Sequence, residues 1–196
     1  MNKIKVFAGI VLIVFAISLN ACKTTQKFQG KTELTVFIVD ENDKPVTDVE
    51  VSLKNNMIFE GSGTNQNGFC FFSGIPAGEY EIISKKTGYT DSQVTISFLD
   101  RTEVFCIKIM SADYVFDQAE VLFEQEFYEK AVELLKKINT GRNTGLQNAK
   151  SFYLAYGLAS LQKRWEANQE LRKLKAEPPF DDSALKYKTA IQEMLK

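Results

Sequence analysis

A chain of 196 residues with 44% hydrophobic side chains has room for one or two domains and is too apolar to be disordered. Its 24 basic and 25 acidic side chains leave a net charge of -1, which argues against a nucleic-acid binder, since that needs clustered cations to neutralise phosphates. Histidine is absent, so the commonest general base and the commonest metal ligand are both missing.

The first residues, Met1 to Lys5, carry Lys3 and Lys5, and Val6 to Leu19 follow without a charge. A positive start followed by an apolar run is the layout of a secretory signal. The run would span about 21 Å as a helix, short of the ~30 Å hydrocarbon core, so a permanent membrane span is the weaker reading. Leu19-Asn20-Ala21-Cys22 closes it. This end resembles the signal of a bacterial lipoprotein, with an aliphatic residue, a variable one, a small one and then cysteine. Asn20 departs from the small or hydroxylated residue usual there. The resemblance implies that residues 1–21 are removed and that Cys22 is acylated, fastening the mature chain to a cell membrane or outer membrane. Several acyl chains give stable anchoring where one is marginal. The alternative is a secreted protein with an incidental cysteine. Removing residues 1–21 takes away two of the 24 basic side chains and no acidic one, leaving a net charge of -3. Residues 22–32 then form the anchor and a polar linker.

From residue 33 to 110 short alternating runs recur, broken by turn signals. Leu34, Val36 and Ile38 are followed by the polar turn Asp40 to Pro45, and then by Val49, Val51 and Leu53. Asn67-Gly68 signals a hairpin in which both turn positions take positive φ. Cys70 and Phe72, Tyr80 and Ile82, Val94 to Phe98, and Phe105 to Ile109 supply further strands. Six or seven strands at this spacing predict a β-sandwich. The order of motifs also resembles the carboxypeptidase regulatory-like, or prealbumin-like, family. The matching residues are Ile38 and Asp40, Pro45-Val46 and Val49, Thr64 and Asn67-Gly68, Cys70 and Phe72, Ile75-Pro76, Gly78, Tyr80 and Gly88-Tyr89. Asp43 and Asp48 stand where that family has glycine, and Cys70 stands for an aromatic. The resemblance implies a non-catalytic module serving as spacer, stabiliser or recognition surface. The fold is grouped with carbohydrate-binding-like folds, so polysaccharide is a second partner class; exposed loop aromatics such as Phe59 or Tyr89 would favour it.

Cys70 and Cys106 invite a disulfide in an exported chain. Parity argues against one: Cys70 shares a face with Phe72 and should point inward, whereas Cys106 lies opposite Phe105, Ile107 and Ile109. The carboxylates Asp40, Glu41 and Asp43 could ligate calcium, but a solvated turn is the simpler reading.

At Ser111 the apolar period lengthens to that of helices. Ser111 is a candidate N-cap for a helix from Ala112 to about Glu124. Further helices are expected over about 128–139, 146–162 and 165–175. Pro178-Pro179 should stop the fourth, and a last helix should run from Asp181 or Asp182 to the end, with Leu185, Ile191 and Met194-Leu195 covering the open side. A shift of 36 residues pairs Phe116 with Phe152, Ala119 with Ala155, Leu122 with Leu158, Ala131 with Ala167, Leu135 with Leu171 and Ile138 with Leu174. Residues 111–196 therefore resemble tetratricopeptide repeats, in which small residues let paired helices pack closely. Glu126 and Gln162 replace the glycine usual between the helices. A plain helical bundle is the alternative. Tyr153, Tyr156 and Trp165 are candidates to line a concave peptide-binding face, against packing in the core or at its rim. Lys136-Lys137 and Arg172-Lys173-Lys175 read as solvated faces.

No phosphate loop, metal-spaced cysteine pair or nucleophile elbow occurs. The fold class expected is α+β in two modules, an all-β sandwich followed by all-α hairpins. The function expected is that of a membrane-anchored envelope lipoprotein, periplasmic or surface-facing. It would be non-catalytic and without a cofactor or metal. It would act as a scaffold that binds a protein or peptide, or alternatively an envelope polysaccharide.

Overall fold

The structure is a computed structural model that describes residues 27–174, 191 and 193–196. The signal, Cys22, Lys175, Pro178-Pro179, Asp181, Asp182 and Leu185 lie outside the described residues.

Seven strands come first: β1 (Lys31–Val39), β2 (Glu50–Lys54), β3 (Phe59–Gly63), β4 (Phe69–Pro76), β5 (Gly78–Lys85), β6 (Ser92–Phe98) and β7 (Val104–Lys108). They form a three-stranded sheet in the order β4-β1-β7 and a four-stranded sheet in the order β3-β2-β5-β6. Alternation decides which residues meet between the sheets. Leu34, Val36, Ile38, Cys70, Phe72 and Ile107 of one sheet join Val51, Leu53, Tyr80, Ile82, Ile96 and Phe98 of the other in one buried core. Burying each large apolar side chain contributes roughly 1.5–3 kcal/mol. All neighbours pair antiparallel except β1 and β7, which run parallel, Thr35 opposite Val104 and Val39 opposite Lys108.

Three details differ from the sequence expectations. Strand β1 starts at Lys31, inside the expected linker, and Phe28 packs edge-on against Phe98 with ring centroids 5.1 Å apart. Strand β3 has no alternating apolar pattern to announce it, because it is an exposed edge containing Gly61 and Gly63. The Asn67-Gly68 turn is not a hairpin, since it carries the chain from β3 in one sheet to β4 in the other. Only Gly68 has positive φ (76°), and the Asn65 side chain closes the turn by accepting from the amides of Asn67 and Phe69. A Cβ on Gly68 would stand 2.7 Å from the Ile38 carbonyl oxygen, so glycine is required there for space as well as for φ. Cys70 is buried and Cys106 exposed, and both are free thiols, as parity requires.

Among residues 111–174 four helices follow: α1 (Ala112–Glu124), α2 (Tyr128–Lys136), α3 (Thr144–Ser160) and α4 (Arg164–Arg172). Ser111 caps α1 by accepting from the Tyr114 amide at 3.3 Å, and Asn143 caps α3 by accepting from the Leu146 amide at 3.1 Å. Each helix packs on the next, and α1 also touches α3. The 36-residue shift holds in the backbone. Glu126 and Gln162 take φ of 62° and 59° between the paired helices, and Phe127 and Lys163 follow at φ/ψ of -85°/55° and -83°/59°. Ala119, Ala155, Ala131 and Ala167 are all fully buried, which is the close approach that small residues permit. Ile191 is buried against the same core, with Met194 and Leu195 partly buried beside it.

The two modules are joined by hydrogen bonds as well as by the chain. The loop between β5 and β6 threads between the sandwich and the helices. Gly88 and Asp91 donate their amides to the carbonyls of Asn139 and Lys137, and Asn139 donates back to Tyr89, at 2.7–2.8 Å. The amides of Thr90 and Ala112 close the opposite side on Met110 and Gly88, both at 2.8 Å. Glu41 accepts from both the amide (2.9 Å) and the hydroxyl (2.7 Å) of Ser111.

Candidate functional site

The residues expected to form one interaction face are divided between two. Tyr153 and Tyr156 sit on the side of α3 turned toward α1 and α2. Tyr153 stacks on Phe116 at 5.0 Å, and its hydroxyl donates to the Glu120 carboxylate. Tyr156 meets Phe123 edge-on at 4.9 Å and Tyr128 at 6.5 Å. Their rings are half-buried in the helical core, which is the packing alternative. Trp165 does not join them. It begins the first turn of α4, is 73% exposed, and looks onto a groove of about 840 Å³ formed by α2, α3 and α4.

This groove is built upward from the repeat. Ser151, Leu154 and Leu158 lie on one stripe of α3 at helical spacing and make the buried floor. Trp165 and Leu174 supply apolar edges. The rim carries both signs: Lys136, Arg172 and Glu166 all line it, and Lys173 pairs with Glu170 at 2.6 Å. Lys136, Arg172 and Lys173 are exposed, as expected of solvated faces.

Lys150 matters to this wall, and the sequence pattern alone does not single it out. Its ammonium donates to the carbonyls of Lys136 and Ile138, both at 2.8 Å, and so satisfies groups left over at the end of α2. Burial pushes its pKa down, against the opposing pull of Glu170 and Asp91. Lys150 is therefore a fixed brace between α2 and α3.

Other candidate chemistry resolves into structure. The acidic turn is tied within the protein: Asp40 accepts from the amides of Asn42 and Lys44, Asp43 pairs with Lys108 at 2.6 Å, and Glu41 holds Ser111. Burial raises the Glu41 pKa, but the Ser111 amide and hydroxyl together with Lys108 outweigh it, and the net direction is down. Among the described residues no group of three or more His, Cys, Asp or Glu is arranged to hold a metal ion, and no helix is long and apolar enough to cross a membrane. Of the loop aromatics, Tyr89 is half-buried in the junction between the modules, whereas Phe59 is 75% exposed.

No protein-family model matches the chain, and no curated protein matches it. Solved structures similar to part of it include the Bacillus anthracis TIE protein, at 17% identity and TM-score 0.38, covering 42% of this chain and 17% of that one. BcpA, the major pilin subunit of Bacillus cereus, matches at 16% identity and TM-score 0.34, covering 41% of this chain and 29% of its own. The group B streptococcus pilus 2b backbone protein matches at 16% and 0.35, covering 41% of each. The chain thus spans less than half the length of each of these three, and likeness at this level says nothing about activity or partners.

Proposed function

We propose that this protein is an exported lipoprotein, fastened to a cell-envelope membrane through acyl chains on Cys22, that acts as a non-catalytic scaffold and binds a protein partner through its helical module. The observation that carries the binding half is Trp165: a large aromatic side chain, 73% exposed, at the edge of a groove floored by Ser151, Leu154 and Leu158 with both charges on its rim. Exposed tryptophan beside a groove is the usual composition of a binding hot spot. The partner segment suited to it is an extended or helical peptide that places one apolar side chain against Trp165, Leu154 and Leu158 and charged groups over the rim. The repeated left-handed turns and buried alanines support reading the helices as a short tetratricopeptide-like stack. The tied-up turn and junction support reading the prealbumin-like sandwich as a stiff spacer.

The test uses intact cells. A photo-crosslinking residue at position 165 should give one discrete polypeptide adduct, and the same residue at exposed Val121 should not. In parallel, Cys22→Ala should move the protein out of the membrane fraction. Adducts equal in pattern at both positions refute the groove, and a Cys22→Ala chain that still floats with membranes refutes the anchor.

A further inference from the structure

The two most exposed large hydrophobic side chains of the sandwich, Met57 at 90% and Phe59 at 75%, lie in and beside one loop, between β2 and β3. The register places that loop. Lys54 pairs with Phe59 and Glu81, Gly78 with Phe98, and Lys31 with Pro76, so the β2–β3 loop shares a pole of the sandwich with the start of β1. The helices are bound at the opposite pole, through Glu41, Gly88 and Asp91. The apolar tip therefore faces the side from which the chain leads back to Cys22.

The tip is presented, not loose. The Asn55 carboxamide oxygen accepts from the amides of Met57 (2.9 Å) and Ile58 (2.8 Å), and Ile58 packs on the core. The reach of the chain is short. Phe28 is pinned between Phe98 and the Arg101 guanidinium, 5.3 Å from its ring centre. Five residues separate it from Cys22, and the six steps between them span at most roughly 22 Å fully extended. A surface held that close experiences the membrane at high effective concentration, so two side chains suffice where a free protein would need many.

We infer that Met57 and Phe59 seat this pole directly on the bilayer, so that the anchored protein stands upright with its helical module held away from the membrane. The inference rests on the anchor at Cys22. The occupant is a zwitterionic lipid surface. Glu60, Asp100 and Glu103 share the pole with Lys31 and Arg101, and Lys54 is already paired with Glu81 at 2.5 Å, so the charges there are mixed and a surface without net charge suits it.

The test couples the mature chain, with Cys106→Ser, through Cys22 to a maleimide lipid in phosphatidylcholine vesicles. Buried Cys70 does not compete for the maleimide. With Trp165→Phe and Phe59→Trp, emission should shift to the blue and fall at least about twofold in vesicles with brominated acyl chains. Adding Met57→Asp should remove the effect, and the parent chain, reporting from Trp165, should show no quenching. Emission from position 59 that stays unquenched on the coupled chain overturns the seat and leaves the anchor standing. An unacylated mass for the N-terminal peptide of the protein from its own envelope overturns the anchor, and the seat with it.

Discussion

Among the described residues four non-glycine residues adopt positive φ: Asp43 at 61°, Asp48 at 51°, Glu126 at 62° and Gln162 at 59°. All four stand where the resembled families have glycine, so the departures from the motif in the sequence marked real left-handed positions. Such a residue costs about 1–2 kcal/mol, and glycine relieves most of it. Glu126→Gly should therefore raise stability by roughly 0.5–1 kcal/mol in urea denaturation, net of the entropy glycine adds to the unfolded chain. Thr64 is the opposite case. Its hydroxyl accepts from the Val49 amide at 2.9 Å and donates to the Val46 carbonyl at 2.7 Å, all of it buried. Thr64→Val keeps the shape and strands both backbone groups, so it should cost roughly 2–4 kcal/mol, while Thr64→Ser should recover most of that. The motif placed Thr64 but not its role, because a hydroxyl that ties the end of β3 to the connection between β1 and β2 has no periodic signature.

The strands and helices with a strong period were readable. Helix α1 runs over the residues expected, and the strands with alternating apolar residues fall where alternation put them. What escaped is instructive. Strand β3 lacks the pattern because neither of its faces is buried; helix ends differ from the expected ones by one to three residues, and at the start of α3 the Asn143 cap, not periodicity, decides the boundary. Tyr153, Tyr156 and Trp165 were grouped by residue type, but on α3 and α4 they point to different neighbours. Helix packing also makes one glycine of α3 indispensable. A Cβ on Gly157 would lie 2.7 Å from Val132 Cγ2 and 3.1 Å from Phe123 Cε1. Gly157→Ala should lower stability by about 1–2 kcal/mol, the clash with α2 exceeding the ~1 kcal/mol of helix propensity gained. Thermal denaturation followed by circular dichroism would show it.

At the scale of the molecule, the junction ties the two modules together, and Glu41 makes its strength depend on pH. Its folded pKa lies below its unfolded one. Its contribution is thus complete above the unfolded value near 4.3 and fades as pH falls through the folded value. Urea denaturation at pH 7 and pH 3.5 should show a loss of stability that is smaller in Glu41→Gln than in the parent chain. The parallel pairing of β1 with β7 has a different consequence, in the order of assembly. The first strand of the sandwich, β1, is the middle of its sheet, and one of its edges waits for Val104 to Lys108, some seventy residues later. Closing so long a loop is slow, and until it closes the sandwich lacks a wall. The sandwich therefore cannot finish before nearly all of its own residues have been made, however early its core strands are available.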